Sequence, residues 1–242
     1  VNVRGVHADW SEPVVTRFGG AFYLVNVALA LGLYPDFTRP ASLGLWLPLW
    51  SYLRQVSARL LAEEPPDAIW SLLSDLTPFG GSLTEHEEPR DWFVEPDWLR
   101  GFTPPKEWLA TQSSSRLRIL HPAGFAAIDA RADLDPALIA AKLSEYGTGP
   151  LRFAEAEPRT SAQWIDWHVE YLRARLRLAL RVDDSQIGPL LLEHRARVHV
   201  TATRIDVVFS LEELPIAIRL AGLDRDPGFL PTEARSLHFH FV

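Results

Sequence analysis

The residues best placed by type and spacing to do chemistry lie near the C-terminal end of the sequence. His238 and His240 stand two apart in an alternating segment, so on a strand both imidazoles share one face. With His199 from another alternating segment they form a three-histidine set of the kind that holds zinc. The same alternation places Leu237, Phe239 and Phe241 in a core and the histidines in solvent, and no spacing demands that the three rings converge. The expectation is therefore no metal and no cofactor. Upstream, Asp224-Arg225-Asp226-Pro227-Gly228 brackets an arginine with two carboxylates, a set able to move protons or clamp a phosphate. It is also a complete turn, in which Asp226 initiates, Pro227 presets φ and Gly228 allows a positive φ. A turn with a local ion pair at Asp224, Arg225 and Asp226 accounts for every residue of the string.

Elsewhere the chemistry is thinner. Glu85-His86-Glu87-Glu88 with Asp91 gathers acid on one stretch, but the alternating oxygen ligands and turn glycine of a calcium loop are missing. Trp164 and Trp167 beside Arg173, Arg175 and Arg177 have the residue types of a nucleic-acid surface. Their spacing mixes helix faces, and Glu170 falls one turn from Arg173, which favours ion pairing along a core helix. No His-Glu-x-x-His, G-x-S-x-G, P-loop or G-x-G-x-x-G string occurs. Without cysteine there is no disulfide, thiolate metal site or cysteine nucleophile, and Lys106 and Lys142 are the only lysines. The 242 residues carry 24 basic and 31 acidic side chains, a net charge of −7 that argues against sequence-independent nucleic-acid binding. At 47% apolar and 23% charged, the composition is that of a globular protein with a sizeable core.

The elements that must position these residues follow from periodicity. Phe22, Val25, Leu29 and Leu33 recur at helical spacing, with apolar residues on the other side too, which predicts a buried helix closed at Tyr34-Pro35. The uncharged run from Phe18 to Tyr34 reaches the lower limit for a membrane span, but its glycines and Asn26 favour a core helix. No signal-peptide pattern is visible at the start, so the expectation is a cytoplasmic protein without a membrane span. Ser42 is a candidate cap for a helix over 43–63 containing Pro48, and Pro66-Asp67 opens a third helix through Leu76. Residues 1–77 thus read as a helical region. Residues 78–115, rich in proline and holding Trp92, Trp98 and Trp108, read as a long irregular connection whose tryptophans pack on the body or bind a partner. Residues 116–242 read as an α+β region, joined to the helical part in one unit. In it a strand–turn–strand surrounds His121-Pro122-Ala123-Gly124, Asp135-Pro136 starts a helix ending at Gly147, and Leu151-Arg152-Phe153 forms a strand. A long helix follows from a cap at Ser161, and the C-terminal quarter alternates as an antiparallel meander. The fold class is α+β.

Two strings carry a resemblance. One is Arg17-Phe18-Gly19-Gly20-Ala21-Phe22-Tyr23-Leu24-Val25-Asn26 with Leu31-Gly32-Leu33-Tyr34-Pro35-Asp36-Phe37-Thr38. The other is Ile205-Asp206-Val207-Val208-Phe209-Ser210-Leu211 with Leu214-Pro215-Ile216 and Arg219 through Gly228. Together they resemble bacterial proteins encoded with phage-tail-like contractile injection systems, and more loosely the tape-measure-labelled proteins of those clusters. A ruler needs long extended helix, whereas this chain reads as compact α+β. The resemblance therefore implies a non-enzymatic structural, assembly or adaptor component that binds protein partners in such a particle. The alternative expectation is a metal-dependent or carboxylate-based hydrolase using His199, His238, His240, Asp224 and Asp226.

Overall fold

The computed structural model describes residues 12–36, 38, 40, 47–77, 91–147, 149–154 and 164–242. Ser42, Ser161 and the run Glu85-His86-Glu87-Glu88 lie outside the described residues. Two mixed five-stranded sheets flank a helical layer, an α+β arrangement. The first sheet has the order β1 (Val14–Thr16), β7 (Ala196–Val200), β8 (Arg204–Phe209), β10 (Arg235–Phe241), β9 (Gly228–Leu230). The second runs β2 (Trp92–Phe93), β5 (Ala126–Arg131), β4 (Arg116–Leu120), β3 (Trp108–Gln112), β6 (Leu151–Ala154). Between them, α2 (Leu49–Leu60) packs on α3 (Ala68–Leu76), α5 (Trp164–Leu180) and α6 (Asp184–Leu192). α5 in turn meets β5, and the 3-10 turn Gly19–Phe22 leading into α1 (Tyr23–Ala30) lies on β7 and β8.

Local chemistry explains most helix starts. Asp67 caps α3, its carboxylate accepting the Ile69 N–H at 2.9 Å and the Thr16 hydroxyl at 2.6 Å, so one side chain also ties β1 to the helix. Asp135 caps α4 (Pro136–Tyr146) through the Ala137 N–H, and Pro136 at the first position loses nothing by lacking an N–H. α2, at Leu49–Leu60, falls inside the 43–63 stretch expected and starts directly behind Pro48, because proline at the cap position has no N–H to leave unpaired. α6 was not expected as a helix. Its capping box between Asp183 and Gln186 starts it, and its interior Pro189 hides the helical pattern.

Three expectations need correction. Residues 12–77 are not purely helical, since β1 pairs antiparallel with β7 as the edge of the C-terminal sheet; three residues are too few to show a period. Within the stretch read as an irregular connection, 91–115 carries β2 and β3, joined by the 3-10 turn Pro96–Leu99. Its prolines lie between these short strands and break the alternation that would reveal them. The C-terminal quarter is not an antiparallel meander either. β10 runs parallel to β8, with Leu237 opposite Ile205 and Phe239 opposite Val207. The connection through α7 (Ile216–Leu220) and β9 returns the chain before β10 begins, and side-chain alternation carries no information on strand direction.

Two backbones meet at Gly19 and Gly20. The Gly19 N–H donates to the His194 carbonyl at 2.8 Å, and a Cβ on Gly20 would stand 2.1 Å from the Leu191 carbonyl oxygen. That approach brings Tyr23 beneath the first sheet, stacked on Phe209 at 5.0 Å and edge-on to Phe239 at 5.4 Å. In the second sheet, Asp129 is 2% exposed and receives Arg116 at 2.9 Å and Arg118 at 3.3 Å across β4 and β5.

Both features predict large losses. Gly20→Ala meets backbone rather than a movable side chain and is expected to lower stability by about 2 kcal/mol or more. Asp129→Ala removes the buried carboxylate shared by two largely buried guanidinium groups and should cost about 3 kcal/mol. Urea unfolding followed by tryptophan fluorescence measures both.

Candidate functional site

Along β8 and β10 the inward residues Ile205, Val207, Leu237 and Phe239 are buried, so Arg204, Asp206, His238 and His240 fall on the opposite face of the sheet. Asp206 sits in register between His199 on β7 and His238 on β10. Its carboxylate takes the His240 Nε2 at 2.5 Å and the Arg204 guanidinium at 2.6 Å. Partial burial works against its charge, but the hydrogen bonds from Arg204 and His240 outweigh that and hold the carboxyl below its usual range. His238 uses Nδ1 on Asp226 at 2.8 Å, and the other Asp226 oxygen accepts the Phe239 N–H at 3.1 Å. His199 faces the same row, and among the described residues its ring makes no hydrogen bond. The three histidines therefore share a face, but His238 and His240 go to different carboxylates, and among the described residues no three His, Asp or Glu side chains gather as a metal cage. What the row can do is orient imidazoles through carboxylates.

Asp224, Arg225 and Asp226, read together as one ion-pair motif, serve three purposes. Asp226 goes to His238, and Asp224 pairs with Arg219 at 3.3 Å. The Arg225 guanidinium turns away over Gly222 into a groove of about 400 Å³. Val27 and Ala30 of α1 and Leu172 and Leu176 of α5 line this groove, with Trp98 and Leu220 among its other walls. Asn26 seats the turn after α7 by donating to the Leu223 carbonyl at 2.9 Å and the Arg225 carbonyl at 2.7 Å. The two strings that carry the resemblance thus meet here, although about two hundred residues separate Asn26 from Arg225. Beside the groove, α7 leaves Ile216 74% and Leu220 82% exposed, one helical turn apart.

Of the three tryptophans singled out in the sequence, Trp92 and Trp108 are core residues. Trp98 is partly buried in the groove wall, with the Arg175 guanidinium 5.5 Å from its ring centre. Arg175 also donates to the Arg100 carbonyl at 2.8 Å. The other basic residues of α5 pair locally, Arg173 with Glu170 as the spacing implied and Arg177 with Asp184. Sequence reasoning missed the groove. Its one available signal was Asn26, a lone amide in an otherwise apolar helix.

The most perturbed histidine lies away from both surfaces. His168 is buried between Trp164 and Trp92, with Nε2 on the Tyr52 hydroxyl at 2.9 Å, and burial drives its pKa down to about 3. The unfolded chain protonates this ring near pH 6.5, so the folded state is fully favoured above that value and loses stability as pH falls towards about 3. The loss from this group is up to about 1.4 kcal/mol per pH unit. A variant with His168→Phe and Tyr52→Phe, which removes both polar groups, is expected to lose one proton's worth of that slope between pH 6 and pH 4. Urea midpoints measured across that range test it.

Comparison of the chain with family models, with curated proteins and with solved structures gives no match in any of the three.

Proposed function

We propose that this chain is a non-enzymatic assembly or adaptor component of a phage-tail-like contractile injection particle, working in the cytoplasm by binding other proteins. The observation that carries this reading is the meeting of the two resembling strings at one groove, through Asn26 and the Leu223 and Arg225 carbonyls, beside the exposed Ile216 and Leu220. Residues that hold a surface in shape and leave large apolar side chains uncovered suit partner binding. Among the described residues no helix is long and apolar enough to cross a membrane, and α1 spans only Tyr23–Ala30. A hydrolase reading draws on one observation, the Asp226–His238 and Asp206–His240 pairs. A carboxylate-oriented imidazole is half of a general base arrangement. Among the described residues neither imidazole has a hydroxyl in hydrogen-bond contact.

The test is affinity purification of the tagged chain from cells expressing it with its genomic neighbours. Sheath, tube, baseplate or ATPase proteins are expected in fixed ratio, and Leu220→Asp is expected to cut their recovery by about tenfold. The double variant His238→Ala, His240→Ala should leave recovery unchanged. A lone monomer carrying a metal or small molecule, with an activity abolished by the histidine variant, would establish the hydrolase instead.

A further inference from the structure

We infer that the groove between α1, α5 and the turn after α7 takes an amphipathic helical segment of a partner protein, its apolar face bearing leucine-sized side chains and its flank carrying carboxylates. This deepens the assembly reading and rests on it for the identity of the partner. The apolar half of the argument is the groove itself. Val27, Leu172 and Leu176 line it, and the exposed Leu220 and Ile216 extend the same apolar surface along α7 beyond what a small molecule would cover.

Charge complementarity supplies the other half. Arg175 and Arg225 both line the groove, and neither has a carboxylate within ion-pair distance among the described residues. On the same helix, Arg173 and Arg177 each have an acidic partner. The structure holds the Arg175 side chain and the Arg225 backbone in place. Arg175 is held against the Trp98 ring and the Arg100 carbonyl, and Arg225 is anchored by Asn26 at its carbonyl while its guanidinium lies over Gly222. A chain with a net charge of −7 thus presents, at one apolar groove, two cations with no carboxylate in ion-pair contact among the described residues. A carboxylate arriving there finds one guanidinium already held against Trp98 and a second beside it, and such charge complementarity gives specificity.

The experiment places the photo-reactive residue p-benzoylphenylalanine at Leu220 of the full chain, in cells that also express its genomic neighbours. Irradiation is followed by mass spectrometry of the crosslinked peptide. The expected result is one dominant crosslink to another protein, in a segment with leucines at helical spacing and at least two Asp or Glu. Arg225→Glu added to the same chain should lower its yield by about tenfold, and Arg225→Lys should keep most of it, with unchanged melting curves. A crosslink within the chain itself, to a second copy or to a basic segment overturns the inference, as does a yield indifferent to Arg225→Glu. No crosslink while particle proteins still co-purify in fixed ratio overturns the groove and leaves the assembly reading standing. A crosslink to an acidic helix of a protein outside the particle does the opposite.

Discussion

Everything at the candidate site depends on a close approach of two backbones. Gly19 and Gly20 lie on the segment Leu191–Ala196, where even a methyl group would collide with a carbonyl oxygen or with the Ala196 side chain. Because the chains touch there, the helix that follows starts directly under the first sheet and Tyr23 enters the Phe209–Phe239 cluster. One turn later Asn26 comes within reach of the chain after α7. A bulkier residue at either glycine would lift α1 away from the sheet, and the amide would lose the two carbonyls that it holds.

That dependence explains why the residues shared by the two strings are of such plain chemistry. Glycines, an aromatic, an amide and a turn are what is needed to fix one irregular segment against a helix. Asn26 donates to two carbonyls of the turn after α7, a structural role that ties that turn to α1. The polar string 224–226 is then distributed by the turn. Asp224 steadies Arg219 on α7, Asp226 clips the turn to β10, and Arg225 is left projecting into the groove. Three adjacent side chains leave a tight turn in different directions, so adjacency in sequence overstates their cooperation in space.

Legibility in the sequence followed the range of the interactions. The helix starts at Asp67 and Asp135, the β4–β5 turn and the Glu170–Arg173 pair are local, and spacing alone reveals them. The alternation of β7, β8 and β10 likewise put His199, His238 and His240 on the solvent side, where they are found. Strand direction is a matter of how connections travel, so the parallel β8–β10 pair was invisible. So were β1 and β2, too short for any period to register. Trp92 and Trp108 sat among prolines that suggested a loop, yet each is a buried strand residue. The groove was hidden for a further reason: its walls come from α1, α5, α7 and the Trp98 turn, and only tertiary packing brings them to one place.

A division follows between polar groups that hold the fold and those it leaves over. Asp129 absorbs two arginines, Asp67 serves a helix end and a strand, and Asp206 and Asp226 each hold a histidine on the sheet. These carboxylates are committed, and at Asp206 the same contacts that fix the carboxylate also lower its proton affinity, which makes it a poor general base. Arg175 and Arg225 differ in that their contacts are to an aromatic face, carbonyls and a glycine, none of which neutralises charge. Both remain within reach of solvent and so are available to a carboxylate from outside the chain. Unneutralised positive charge thus lies beside the uncovered Leu220 and Ile216, and the proposed acidic amphipathic segment answers both.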